Sequence, residues 1–215
     1  MAKIIRIGTR KSPLALKQVS EILTRVEELY PDAEFDIVPI DTYGDRDKKT
    51  PISDTEGTDF FTREIDQALL RGEIDIAVHS AKDLPDELAG GLTVLFITES
   101  IDPYDCLVSK SGLKLEELPY GARIGTSSRR RKDQLKKYRP DFEIVDIRGN
   151  IEERLTLVGD SGSEAQDERR IDAVVIAAAG LIRLGLINRE TQKIPPDILK
   201  PHPLQGSLAV VTRAA

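Results

Sequence analysis

The residues most able to do chemistry fall in a few short stretches. In DIAVHSAKDLP, Asp75 to Pro85, an apolar run over Ile74 to Val78 reads as a buried strand ending in His79, Ser80, Lys82 and Asp83. In open α/β sheets, ligands sit outside the carboxyl ends of the strands. A carboxylate held there can accept a hydrogen bond and stabilise a developing cation. Asp83, with Lys82 beside it and Ser80 before it, is therefore a candidate catalytic group. A solvated turn closed by Pro85 accounts for the same residues, and His79 on its own reads as structural.

The second stretch is GTSSRRR, Gly125 to Arg131. A strand ends, Thr126, Ser127 and Ser128 follow, and a helix begins. A helix start offers free backbone N–H groups and a favourable dipole to an anion. Cations in the first turn oppose that dipole. Arg130 and Arg131, whose planar forks suit carboxylates and phosphates, are thus easier to explain with an anionic ligand than without one. The alternative is a charged surface helix, since Lys132, Lys136 and Lys137 extend the basic run. Arg148-Gly149-Asn150 lies at another strand end, with Arg154 one turn into the next helix. Arg10 follows the first strand, and Ser12 is placed to cap the helix after it. Arg10, Arg130, Arg131, Arg148 and Arg154 together point to a ligand with several carboxylates or phosphates.

Other chemistries lack their signatures. There is no Walker loop, dinucleotide glycine fingerprint, Cys/His metal spacing or Gly-x-Ser-x-Gly elbow. The single cysteine, Cys106, excludes an intramolecular disulfide and fits a cytoplasmic protein. It sits in an apolar strand and reads as a small buried residue, not a nucleophile. No stretch approaches the roughly 18 apolar residues of a membrane span, and the first residues show no secretory signal. A net charge of −6 argues against general nucleic-acid binding. With 40% hydrophobic and 32% charged residues, the 215-residue chain can build one large or two small globular cores.

The elements that would position these residues alternate. Ile4 to Ile7 reads as a strand, followed by a helix with Ser12 as N-cap and Pro13 at its first position. Leu16, Val19, Leu23, Val26 and Tyr30 form its apolar face. Phe35 to Ile40 is a strand, Thr42 to Thr58 a polar loop of expected mobility, Phe60 to Leu70 a helix and Ile74 to Val78 a strand. After Pro103 a second series begins. Its strands are Cys106 to Val108, Arg123 to Gly125, Glu143 to Ile147 and Ala173 to Ala177. Its helices are Ser128 to Tyr138, Ile151 to Val158 and part of Gly180 to Leu186. Gly159 to Arg170 reads as a surface insertion. A proline-rich passage, Pro195 to Pro203, leads to a last strand, Leu208 to Thr212, placed to return to the first domain. Such alternation implies βαβ units and mainly parallel sheets. No internal sequence repeat is evident.

In this order, IRIGTRKSPLAL from Ile5, DIAVHSAKDLP from Asp75, IGTSSRRR from Ile124, IRGNIEERL from Ile147, AAGLIRLGL from Ala178 and LQGSLAV from Leu204 resemble the hydroxymethylbilane synthase (porphobilinogen deaminase) family. The matches cover nearly the whole chain. The resemblance implies an α/β fold of two domains of the periplasmic-binding-protein type, each a mainly parallel sheet flanked by helices, with a cleft between them. Domain 1 would comprise residues 1–100 plus 200–215, and domain 2 residues 101–199. The implied activity deaminates porphobilinogen and couples pyrroles head to tail into a linear tetrapyrrole.

The family's cleft aspartate, which contacts pyrrole nitrogens, matches Asp83, and its neighbouring lysine and serine match Lys82 and Ser80. Its arginines, which hold acetate and propionate groups, match Arg10, Arg130, Arg131, Arg148, Arg154 and Arg183. Ser12, Thr126, Ser127 and Ser128 fall with them as substrate- or cofactor-binding positions. Porphobilinogen and pyrrole chains are the implied partners, with no nucleic acid, membrane or metal.

The chain also departs from the family pattern. The family's dipyrromethane cofactor hangs from a cysteine of a third, C-terminal domain, and no counterpart is found here; Cys106 does not match that cysteine. A separate chain supplying that domain is one expectation. A non-catalytic pyrrole- or polycarboxylate-binding protein that has lost it is the alternative. Thr58 stands where the family's glycine-rich loop carries a lysine, Asp59 where a glycine is usual, and Gly159 to Arg170 is longer than the family pattern.

Overall fold

A computed structural model describes residues 4–47, 50, 58–158 and 171–214. Most of the loop expected over Thr42 to Thr58, and the whole insertion expected over Gly159 to Arg170, lie outside the described residues. The chain forms two compact units. Among the described residues, one is built from those up to Asp47, from Thr58 to Ile101 and from Gly206 onward, the other from Asp102–Gln205 with Thr50.

In chain order the first unit begins with β1 (Ile4–Arg10), α1 (Pro13–Leu29), β2 (Glu34–Ile40), α2 (Tyr43–Arg46), α3 (Arg63–Leu70), β3 (Ile76–Ser80) and β4 (Leu92–Ile97). The second holds β5 (Asp105–Ser109), β6 (Arg123–Gly125), α4 (Arg129–Tyr138), β7 (Glu143–Val145), α5 (Ile151–Thr156), β8 (Ala173–Ala177), α6 (Ala178–Leu184) and β9 (Gln192–Lys193). β10 (Leu208–Arg213) completes the first unit.

Each unit is organised around a five-stranded sheet, ordered β2-β1-β3-β10-β4 in the first and β7-β6-β8-β5-β9 in the second. The two orders follow one plan. β1 pairs in parallel with β2 and β3, and β6 with β7 and β8. The fourth position is antiparallel in both, taken by β10 against β3 and β4, and by β5 against β8 and β9. In each unit the antiparallel strand is therefore the one that follows a crossing of the chain from the other unit. A small sequence echo accompanies the shared plan: Ile7-Gly8-Thr9 in β1 and Ile124-Gly125-Thr126 at β6 occupy equivalent central places.

Both sheets are covered on both faces, so their central strands, such as β8 and most of β10, are apolar on both sides. Side chains alternate between two cores. In the first unit Val78 and Val210 join Ile7, Val19 and Ile22 of the α1 side, while Ala77 and Val211 join Ile65, Leu69 and Ile74 of the α3 side. In the second, Leu107 and Val175 pack with Ile124, Leu135 and Phe142, while Cys106, Val174 and Ile176 pack with Ile147, Leu155 and Leu181. Each fully buried Ile or Leu contributes roughly 1.5–3 kcal/mol. Gly8 and Gly125 allow this packing: an added Cβ would stand 2.2 Å from Ile74 Cδ1 and 2.4 Å from Ile171 Cδ1 respectively.

Several elements differ from the sequence reading. The face of α1 that packs inward is Ala15, Val19, Ile22 and Val26; Leu16 and Tyr30 are exposed. Leu16 and Tyr30 fit the apolar spacing, but the small Ala15 is the buried residue at the start of that face. β3 starts and ends two residues later than expected, which brings His79 and Ser80 into the strand. Thr42 to Arg46, expected in a loop, contains the turn of helix α2. β4, a β-rich run LTVLFI, and the two-residue β9 are strands beyond those the sequence reading names, paired to β10 and β5.

Candidate functional site

The parallel strands of each sheet deliver their chemistry at the carboxyl ends. In the first unit β1 ends at Arg10, and β3 runs into a 3-10 turn, Ala81–Asp83. Ser12 caps α1, its Oγ accepting from the Ala15 N–H at 3.2 Å. Ser80 Oγ accepts from Gln18 Nε2 at 2.8 Å, and Gln18 is buried. Ala81 N–H donates to the Ser207 carbonyl at 3.0 Å, so the strand returning to this unit anchors the turn that carries Lys82 and Asp83. Asp83 is exposed and has no hydrogen-bond or ion-pair partner among the described residues. Beneath it lies His79, buried, with no hydrogen-bond partner for Nε2. Burial, helped by the Arg10 charge and opposed by Asp83, pulls the His79 pKa down to about 4.

Arg10 has an internal partner that the sequence did not reveal. Its Nε lies 3.2 Å from both oxygens of Asp45, Nη2 pairs with Asp45 Oδ1, and the guanidinium lies 4.3 Å from the centre of the Phe61 ring. Thr42 Oγ1 donates to Asp45 at 2.8 Å. Burial pushes the Asp45 carboxyl up, but Arg10 and Thr42 together hold it below the usual carboxylate range. Half-buried and fixed between an acid and an aromatic face, the Arg10 fork is oriented in advance.

In the second unit the arginines divide. Arg131 is buried, with Nε 3.0 Å and Nη2 2.6 Å from Asp105 Oδ1, and Nη1 3.2 Å from the Val175 carbonyl. Arg130 Nη2 meets the other oxygen of Asp105 at 2.7 Å, and Nη1 reaches the Lys200 carbonyl. Gln205 Nε2 adds a donor to Asp105 at 2.9 Å. Asp105 is fully buried at the start of β5. Burial pushes its carboxyl up, but the charges and hydrogen bonds of Arg131 and Arg130 outweigh this and hold it low. Arg130 and Arg131, predicted to face a ligand, thus make their described contacts with Asp105 and its surroundings. Asp105, Gln205 and Asp45 escaped the sequence reading because a lone acid or amide has no motif; an acid at the first residue of a buried strand is the one available signal for Asp105.

The hydroxyl residues between β6 and α4 also have distinct places. Ser127 Oγ donates to the Ile147 carbonyl and accepts from the Ile147 N–H at 3.0 Å, tying β6 to the segment after β7. Thr126 Oγ1 is buried with no hydrogen-bond partner. Ser128 occupies the N-cap position of α4 without making a side-chain cap.

Arg148 and Arg154 are half-buried around a glycine turn. Gly149 has φ +98°, a conformation that favours glycine. Asn150 then caps α5: its Oδ1 accepts from the Glu153 N–H, and Glu153 Oε2 accepts from the Asn150 N–H, both at 2.8 Å. Arg154 Nε donates to the Gly149 carbonyl at 2.9 Å. Arg183 lies in the last turn of α6, ahead of Gly185 in the left-handed cap.

Cys106 lies in β5 and is fully buried; burial, with Glu190 next in effect, pushes its thiol up to about 12. Among the described residues no group of three or more His, Cys, Asp or Glu side chains is arranged to hold a metal ion, and no helix is long and apolar enough to cross a membrane.

Two mixed α/β sheets of one plan, with charged and hydroxyl residues at their strand ends, define a two-unit α/β protein of the periplasmic-binding-protein type. The fold is similar to the BenM effector binding domain, with a TM-score of 0.55 at 14% identity over 99% of this chain and 84% of that one. It is also similar to the regulatory domain of MexT from Pseudomonas aeruginosa, with a TM-score of 0.52 at 13% identity over 99% and 89%. The chain belongs to the porphobilinogen deaminase family: residues 5–215 match the model of "Porphobilinogen deaminase, dipyromethane cofactor binding domain". It is 44% identical over 209 residues to the porphobilinogen deaminase of Natranaerobius thermophilus and 46% identical over 215 residues to that of Deinococcus deserti. These alignments take in 97% and 99% of this chain and 65% and 67% of the relatives, so the chain spans about two thirds of their length.

Proposed function

We propose that the chain forms the substrate- and cofactor-binding part of a cytoplasmic hydroxymethylbilane synthase, which deaminates porphobilinogen and couples the pyrroles head to tail. One observation carries this reading most directly. Asp83 is an exposed carboxylate with no described hydrogen-bond or ion-pair partner, held at a strand end by a turn that is itself anchored to Ser207.

A carboxylate in that position accepts the N–H of a pyrrole and stabilises the cation left when the aminomethyl group departs as ammonia. The next pyrrole attacks that methylene carbon through its free ring carbon. One carbon–carbon bond forms, one ammonia leaves, and the ring proton is lost to restore the aromatic acceptor. Lys82 adjoins this centre. Arg10, pre-oriented by Asp45, together with Arg148, Arg154 and Arg183, supplies cationic donors for acetate and propionate groups. The Asp105–Arg131–Arg130 cluster supports the start of α4, where Ser128 offers a polar contact.

The dipyrromethane cofactor, when bound, supplies the acceptor pyrrole from which the chain grows. The residues described suit its noncovalent part: an unpartnered acid for pyrrole N–H groups and arginines for its carboxylates. They do not suit its covalent attachment, because the only thiol is buried and held protonated. The anchoring thiol therefore belongs outside residues 1–215, in a further segment or a separate chain.

Consumption of porphobilinogen in the presence of a free dipyrromethane acceptor tests the reading. Asp83→Asn should lower the rate about 10²-fold or more with little change in stability, since the side chain is exposed. Retention of most activity by the Asn variant would remove Asp83 from its role. Absence of porphobilinogen binding to the parent chain by calorimetry would overturn the function itself.

A further inference from the structure

The short helix α2 carries Asp45, the acid that orients Arg10. It is four residues long, and isolated helices below about 12 residues are marginal in water. Its place is therefore set from outside, and its first N–H groups show how. Thr42 stands at the N-cap but makes no side-chain cap; its hydroxyl donates to Asp45 Oδ2 at 2.8 Å instead. The Asp45 N–H donates to the Thr42 carbonyl and the Gly44 N–H to the Phe60 carbonyl, both at 3.1 Å. The remaining first-turn N–H, that of Tyr43, donates to Oε1 of Glu64, from α3, at 3.0 Å.

The same Glu64 oxygen accepts from Arg46 Nη2 at 2.9 Å. Glu64 thus clamps the first and the last residue of α2. Aromatic rings complete the grip. Tyr43 meets Phe60 edge to face at 5.4 Å, Phe60 meets Phe61 in the same way at 5.0 Å, and Phe61 lies against the Arg10 guanidinium. Gly44 is buried beside them, and an added Cβ would stand 2.3 Å from Phe61 Cδ1 and 2.8 Å from Phe60 Cδ1. The clamp decides which edge of Arg10 is offered. Asp45 occupies Nε and Nη2. Nη1 has no hydrogen-bond partner among the described residues and is not sealed from solvent. The guanidinium is a rigid planar fork, so fixing one edge fixes the direction of the rest.

We propose that Glu64 is a positioning residue for carboxylate binding: by holding α2 it keeps Asp45 on one edge of Arg10 and turns Nη1 toward an acetate or propionate group of the ligand. Gly44 belongs to the same device, because the space it leaves lets Phe61 lie against the guanidinium. This rests on the reading of Arg10 as a carboxylate-binding residue and extends it to residues that act through Arg10.

Calorimetric titration of the full chain with porphobilinogen tests the proposal. Glu64→Ala should weaken binding about fivefold, the scale of one neutral hydrogen bond. Glu64→Gln, which keeps an acceptor for the Tyr43 N–H, should restore most of the affinity. In an Arg10→Ala background Glu64→Ala should cost nothing further, whereas a general loss of structure would add to the Arg10 effect. Gly44→Ala should behave as Glu64→Ala does, and it decides if that variant fails to fold. NMR of the ligand-free chain gives an independent readout. The Arg10 Nε–H signal, assigned by its absence in Arg10→Ala, should shift in Glu64→Ala and return in Glu64→Gln. No porphobilinogen binding by the parent would overturn the functional reading and this proposal with it. Binding by the parent with unchanged affinity in Glu64→Ala and Gly44→Ala, a loss undiminished on Arg10→Ala, or an unmoved Arg10 signal would each overturn this proposal alone.

Discussion

Arg131 grips Asp105 through Nε at 3.0 Å and Nη2 at 2.6 Å, with both residues buried inside the second unit. Arg130 takes the other carboxylate oxygen at 2.7 Å, so one acid at the mouth of β5 fixes the first turn of α4. Two adjacent arginines that oppose the helix dipole are thus partly explained from within the chain.

Breaking a buried pair leaves an uncompensated charge, which costs roughly 3–5 kcal/mol. Asp105→Asn should therefore destabilise the protein by about that amount in denaturant unfolding. The native carboxyl titrates below its unfolded value of 3.8. Its contribution is full above pH 3.8 and is lost as pH falls through the lower native value. The variant and the parent should accordingly converge in stability in strong acid. A variant as stable as the parent at pH 7 would show that Arg130 and Arg131 do not depend on this acid.

His79 predicts a second acid effect at higher pH. Its native pKa of about 4 lies below the unfolded 6.5, so the unfolded chain takes up a proton that the native imidazole refuses. Stability should be unaffected above pH 6.5 and fall between pH 6.5 and about 4, by roughly 3 kcal/mol in total. Urea midpoints across that range check it against a His79→Gln variant, which should lack this component. Direct NMR titration of the imidazole near pH 6.5 in the folded protein would contradict it.

Gly149 carries the turn between Arg148 and Asn150. At φ +98° an added Cβ would stand 2.2 Å from Glu153 Oε2, the oxygen that closes the capping box. Gly149→Ala should cost about 1–3 kcal/mol in stability and displace Arg148 and Arg154. Porphobilinogen affinity should drop along with it. By contrast, Gly112→Ala, at φ +72° with open space around the new methyl, should carry the backbone strain and leave ligand affinity alone. Equal effects of the two changes on affinity would argue against a positioning role for the Gly149 turn.

Cys106 should be inert while the protein is folded. Its sulfur is fully buried and its pKa is pushed up to about 12, so hardly any thiolate exists at pH 8. A disulfide-exchange reagent should react only after denaturant is added. Intact mass of the chain made in a haem-synthesising host should show no added dipyrromethane. An adduct of two linked pyrroles mapped to Cys106 would reverse this and make β5 an anchoring strand.

The sequence by itself determined the alternation of strands and helices, the cap at Ser12, and the candidate strand-end residues. These follow from local rules: apolar runs, and a hydroxyl cap followed by proline at the first helical position. It also carried the family motifs in order, from IRIGTRKSPLAL to LQGSLAV. Partnership between distant residues was decided only by the tertiary structure. Asp45 meets Arg10 across 35 positions, Asp105 meets Arg131 across 26, and Gln205 meets Asp105 across 100. The physical reason is that hydrogen bonding and desolvation depend on distance in space, and a pattern of residue types records only distance along the chain.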